Sequence, residues 1–150
     1  MSDGNLISFY KVVIANMNII IRKERPEDYW ETEHMTLRAF WNIHGPGCNE
    51  HLLVRKIRAS EDYLPELSRV AEADGKIVGA IYYTKAKVVD GDKVHDIITF
   101  GPLAMEPTLQ NTGIGRMLQK GAEPKVGEDV LFRWKTKEEA EITQICKNLL

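Results

Sequence analysis

Residues 110–115 read Gln110-Asn111-Thr112-Gly113-Ile114-Gly115, followed by Arg116, and this stretch of the chain is the best suited to chemistry. It comes after an apolar run, 97–103, and opens onto what reads as a helix. Glycines between a strand and a helix let the backbone approach a ligand closely. The first-turn N–H groups of a helix lack partners of their own, and the helix dipole favours negative charge beside them. Arg116 adds a cation able to pair with a phosphate. The turn is therefore suited to a pyrophosphate. Two familiar phosphate motifs do not fit. A dinucleotide fingerprint needs a third glycine where Leu118 stands, and a Walker loop needs Gly-Lys-Ser/Thr where Gly115-Arg116-Met117 stands. A plain strand–turn–helix junction is the remaining alternative.

Candidates for proton transfer are scattered. His95, Asp96 and Thr99 lie on the run before the turn, with Asp96 and Thr99 on opposite faces if that strand is regular. Glu106 sits just past it, and Glu50 and His51 lie far upstream. No single one stands out as a base, so the catalytic residues stay unassigned. His44, Cys48 and His51 match no closed zinc spacing, and no metal is expected. Trp30, Phe40 and Trp41 are expected in the core rather than around an acceptor.

These groups need elements to hold them. Residues 6–15 and 18–24 are β-branched enough for strands. Pro26, with Glu27 and Asp28 after it, suits the start of a helix running to Trp41. A Gly-Pro-Gly loop breaks that pattern, and 50–60 reads as a short amphipathic helix. Residues 68–105 predict a three-stranded antiparallel meander, with turns at Asp74-Gly75 and near Gly91. After Gly115 a helix starts, with Gly121 and Pro124 unfavourable inside it. Residues 129–134 predict a strand, and Ile142, Ile145, Cys146 and Leu149 mark one face of a closing helix.

The 150-residue chain, 43% hydrophobic and 28% charged, is sized for a single domain, 1–150. A net charge of −2 gives no reason to expect a nucleic-acid or anionic-membrane partner. No run approaches the ~20 apolar residues of a membrane span. The amino terminus makes a poor signal peptide, and two cysteines form no disulfide framework. The expected location is the cytoplasm.

Gln-x-x-Gly-x-Gly, closing a strand and opening a helix after a meander, resembles the acetyl-CoA signature of the GNAT superfamily of N-acetyltransferases. The resemblance extends upstream through "RKERPEDYWETEHMTLRAFWN", "PGCNEHLLVRKIRAS" and "VAEADGKIVGAIYYT", and covers about 17–120. It is similar to a bacterial branch of predicted acetyltransferases. It implies an α/β (α+β) fold: a mixed, mostly antiparallel twisted sheet with helices on both faces, here with its C-terminal strands reduced. Residues 1–16 are expected to supply an extra strand and 121–150 an atypical tail. In the family the strand before the signature is bulged and splays from its neighbour.

The resemblance further implies acetyl-CoA as cosubstrate. Leu103, Ala104 and Met105 correspond to the strand that pairs with pantetheine, and Gln110, Asn111, Thr112, Gly113, Ile114, Gly115 and Arg116 to the pyrophosphate cradle. His44, Glu50 and His51 fall near the segment that floors the acceptor pocket. The implied reaction is direct attack of an amine, small-molecule or peptide, on the thioester, with a homodimer left open as the assembly. Only 35 residues follow Gly115, and tyrosines stop at Tyr83, so the family's usual tyrosine acid has no counterpart. The alternative is a CoA-binding regulatory or inactive module.

Overall fold

In the computed structural model, which describes residues 16–121, a four-stranded antiparallel sheet runs in the order β1-β2-β3-β4. The strands are β1 (Ile19–Arg22), β2 (Arg69–Ala73), β3 (Lys76–Asp90) and β4 (Lys93–Met105). The helices among these residues are α1 (Tyr29–Phe40), α2 (Glu50–Arg58) and α3 (Ile114–Gly121), with short 3-10 turns at Pro26–Asp28 and Pro107–Leu109. The expected strands at 6–15 and 129–134, the reduced C-terminal strands and the closing helix with Cys146 lie outside the described residues.

The meander forms as the turn chemistry requires. Asp74 and Gly75 take φ of 48° and 81°, and Gly91 takes 59°, the left-handed values that tight hairpins need. β3 is buried from Ile77 to Tyr83 because both faces of the sheet are covered there. On one face Val70, Ala80, Tyr82 and Ala104 pack with Met35, Ala39, Val54 and Ile57 of α1 and α2. On the other, Ala71, Val78, Ile81 and Tyr83 pack with Ile114 and Leu118 of α3. Gly121 ends α3 against β1, where an added Cβ would lie 2.7 Å from Ile21. The glycine that looks unfavourable in a helix is what allows this close approach.

The start of α1 is held by charge. Arg22 donates two hydrogen bonds to the Asp28 carboxylate, at 2.6 and 2.9 Å, and a third to Glu72 at 2.8 Å. The Asp28 carboxylate also accepts the Arg25 N–H at 2.8 Å. The Arg22 hydrogen bond holds the Asp28 carboxyl below its ordinary value, against the opposing effect of burial.

The buried stripe of α1 corrects the expectation for its aromatics. Trp30 and Trp41 are 71% and 57% exposed, and only Phe40 packs, in part, against the core. Instead Thr32, Glu33, Met35, Thr36 and Ala39 face inward. The two threonines can do so because their hydroxyls donate to the carbonyls of Asp28 and Thr32, at 2.9 and 2.8 Å.

Behind α1 lies a buried ionic network. The Arg58 guanidinium donates to Glu24 (2.6 and 3.0 Å), Glu33 (2.7 Å) and the Tyr82 hydroxyl (3.1 Å), while Tyr82 donates to Glu24 at 2.6 Å. Arg55 adds a 2.6 Å bond to Glu33. Burial pushes the Glu33 carboxyl up, but Arg55 and Arg58 more than offset this and hold it below its ordinary value. Burial also pushes the Tyr82 hydroxyl well up, so it stays protonated.

Candidate functional site

β4 carries a bulge. Tyr83 pairs with Phe100 and Ile81 with Leu103, so one extra β4 residue is accommodated at 101–102, where Gly101 adopts a φ of 152°. Past the bulge the strand alternates. Ala104 is buried against α1, whereas Leu103 and Met105 lie on the α3 side. The backbone alternates in the same way. Glu106 donates its N–H to Val78 O at 2.8 Å and Ala104 pairs with Ala80, so the polar groups of Leu103 and Met105 point to the other edge of β4. Among the described residues β4 is the last strand of the sheet on that side.

The signature then turns sharply. Leu109 N–H donates to Glu106 O at 2.8 Å, closing the 3-10 turn. Asn111 and Gly113 take φ of 61° and 92°, and the Thr112 hydroxyl donates to Leu109 O. The first helical bond of α3 runs from Met117 N–H to Gly113 O at 3.2 Å. The N–H groups just before Met117 therefore have no helical carbonyl to meet. Ile114 and Leu118, both fully buried, anchor the helix so that its first turn is rigidly placed.

A cleft of about 420 Å³ opens between these parts. One wall is Gln110, Asn111, Thr112, Gly113, Gly115 and Arg116, its floor Leu103, Met105 and Leu109, and its second wall Ala39, Phe40 and Ile43. The structure thus brings together eight of the ten residues expected to hold the cofactor. Ala104 and Ile114 are the exceptions as side chains: both are buried, so only their backbone could serve a ligand. The wall from the end of α1 and the turn after it was not foreseen: Ile43 lies three residues past the helix, so no helical spacing ties it to Ala39 and Phe40. Arg116 is exposed and has no ion-pair partner among the described residues.

The acid–base candidates do not gather at the cleft. Asp96 stands 88% exposed on the outer part of the β3–β4 hairpin, with Lys87 Nζ at 3.8 Å. His95 pairs in register with Val88, and Thr99 with Thr84. Glu106 is engaged by Arg38, whose Nη2 lies 2.7 Å from Oε2 and whose Nε lies 3.2 Å from both carboxylate oxygens. The hydrogen bond from Arg38 to Glu106 holds the guanidinium above its ordinary value. Glu50 accepts the Asn49 N–H at 3.0 Å. His51 Nδ1 lies 3.6 Å from Cys48 Sγ, and His44 is exposed on the loop after α1. None of His44, Glu50 and His51 lines the cleft. Among the described residues no group of three His, Cys, Asp or Glu is placed to hold a metal ion, and no helix is long and apolar enough to cross a membrane.

No family model matches the chain, and neither does any curated protein. Solved structures do. A GNAT family acetyltransferase from Brucella melitensis in complex with acetyl-CoA is 32% identical, with a TM-score of 0.57 over 67% of this chain and 63% of that one. The GNAT family N-acetyltransferase YhbS from Escherichia coli in complex with CoA is 24% identical, with a TM-score of 0.54 over 68% of this chain and 52% of that one. The aminoglycoside acetyltransferase AAC(6')-Iy, in complex with a bisubstrate analogue, shares the fold at 15% identity, with a TM-score of 0.52 over 87% and 88% of the two chains. The match thus spans less than two thirds of the length of the Brucella and Escherichia proteins. With its bulged β4, its Gln-x-x-Gly-x-Gly turn and its antiparallel sheet between helices, the chain belongs to the GNAT superfamily.

Proposed function

We infer that this chain binds acetyl-CoA in the cleft at the end of β4 and transfers the acetyl group to an amine. The observation that carries the reading is that the cleft is built from the signature itself, with backbone donors at the head of α3 and the edge of β4, unpaired among the described residues, meeting in one place. The turn 110–115 supplies N–H groups and Arg116 a cation for a pyrophosphate. The outward N–H and C=O groups of Leu103 and Met105 suit the amides of a pantetheine arm. The apolar lining, Phe40, Ile43, Leu103, Met105 and Leu109, suits its methylenes and keeps water away from a thioester.

In such a transfer the amine nitrogen bonds to the thioester carbonyl carbon, the C–S bond breaks, CoA leaves as its thiol, and the nitrogen loses a proton. The chain contributes by holding both partners in place and by meeting the developing oxyanion with backbone N–H. Asp96, Glu106 and Glu50 are each engaged elsewhere, which favours proton loss through water over any one of these carboxylates. The same fact supports the second reading, a CoA-binding module without transfer. Thermal shift with acetyl-CoA tests the cleft, and thiol release across a panel of small amines and amino-terminal peptides tests transfer. A shift without thiol release selects the module, and no shift refutes both.

A further inference from the structure

The two walls of the cleft come from parts of the chain 68 residues apart, and one ion pair joins them directly: Arg38 of α1 and Glu106 at the start of the signature turn. Glu106 is fixed three ways. Its N–H is bound to Val78 O, its carbonyl to Leu109 N–H, and its carboxylate to the fork of Arg38. Residues near each partner line the cleft: Ala39 and Phe40 after Arg38, Met105 just before Glu106, and Leu109 to Gly113 beyond it. The pair is half open to water, with side chains 51% and 22% exposed. Pairs of that kind add little to global stability. This one has a three-contact geometry across a gap that no main-chain bond among the described residues closes.

We propose that Arg38 and Glu106 form a clasp that sets the width and rigidity of the cofactor cleft, as positioning residues for acetyl-CoA. The proposal rests on the cofactor reading above. The clasp keeps α1 at a fixed distance from the signature turn, so Phe40 and Ile43 face the backbone donors at the separation a ligand arm needs. Removing either partner frees the turn to move against α1 while the sheet beneath stays intact, because Ile114, Leu118 and Met35 anchor the two elements independently.

Four variants test this: Arg38→Gln, Glu106→Gln, Arg38→Lys and the exchange Arg38→Glu/Glu106→Arg. Acetyl-CoA affinity is measured by calorimetry, and amide exchange is measured without ligand at Leu109 and Met117, whose N–H groups bond to Glu106 O and Gly113 O at the two ends of the turn. The single glutamine variants should weaken acetyl-CoA about three- to tenfold and speed exchange at these two amides by a similar factor, with the melting temperature within about 3 °C of the parent. Lysine keeps the charge but loses the fork, so it should fall between. The exchanged pair should recover part of both losses. Unchanged exchange in the single variants, or an exchanged pair no better than the worse single, overturns the clasp. A parent protein that fails to bind acetyl-CoA refutes the cofactor reading alone, and the exchange data on ligand-free protein still decide the clasp.

Discussion

Gly113 and Gly115 both border the cleft, yet an added methyl group should act on them in different ways. Gly113 has a φ of 92°, so alanine there is strained even though its Cβ would meet nothing within 4 Å. That strain costs about 1–3 kcal/mol, and any loss of ligand binding would be mixed with loss of structure. Gly115 has an ordinary helical φ, and a Cβ would lie 4.0 Å from Leu103 Cδ2, normal van der Waals contact. Alanine in the first turn of α3 should then stabilise the free protein by about 0.5 kcal/mol, a rise in melting temperature of roughly 2–4 °C. On the cofactor reading proposed above, the same methyl projects where a pyrophosphate would approach the backbone. Losing one charge-assisted hydrogen bond costs about 1.5–3 kcal/mol, so acetyl-CoA affinity should fall roughly 10- to 150-fold. Calorimetric titration and thermal melting on the same preparation give both numbers. A Gly115→Ala protein that melts higher and binds acetyl-CoA as the parent does would refute the assignment of this turn to the cofactor.

Arg58→Met should destabilise the fold by about 3 kcal/mol or more in urea titration, because it leaves the buried carboxylate of Glu24 without a cation and Glu33 with Arg55 alone. Gly79→Ala would bring a Cβ to 2.6 Å from Met105 Sδ and 3.0 Å from Leu118 Cδ1. The flexible methionine yields in part, so urea titration should show a loss of about 1–2 kcal/mol. Asp28 has a folded pKa held below its unfolded one. Its contribution is therefore fully present above the unfolded value of about 3.9 and drains away as pH falls from there through the lowered folded value. Urea midpoints of the parent and Asp28→Asn should differ at neutral pH and draw together as pH falls below the unfolded value through the lowered folded one; a constant gap would refute the Arg22 linkage.

The meander was legible because its information is local. Asp74-Gly75 and the glycine at 91 announce their turns, and alternating β-branched residues fill the strands between. Helix α1 was legible as a helix but not in its facing. Its aromatics Trp30 and Trp41 were expected in the core, whereas the buried stripe runs through Thr32, Met35 and Thr36. A hydroxyl that can return to the carbonyl four residues back is effectively apolar on that face, and hydropathy does not register this. The same holds for Glu33, which is buried only because two arginines from α2 meet it. Half of the cleft could be read from the signature. The other half could not, since the pairing of Phe40 and Ile43 with a turn some 70 residues later depends on how α1 crosses the sheet. Glu106 shows the same limit. As a letter it looked like a base, and only the position of Arg38 makes it half of an ion pair.

Within the signature the division of labour follows the backbone period. Leu103 and Met105 turn their polar groups to the outer edge of β4, and Ala104 between them bonds to β3 and is buried under α1. In the turn, Gly113 and Gly115 face the cleft, and Ile114 between them is fully buried with Leu118. Residues facing the cleft thus alternate with residues that fix the fold. Ile114, locked in the core under α3, fixes the backbone of Gly113 and Gly115 on either side of it. The alternation explains why the two faces of the sheet cannot vary independently. Ala104 belongs to the core under α1 and α2, Ile114 to the core under α3, and the cleft lies where the two cores meet at the edge of β4. A shift in either core moves one wall relative to the other. The geometry of the cleft is therefore a property of the whole two-sided sheet, and the six-residue motif only marks where its two halves converge.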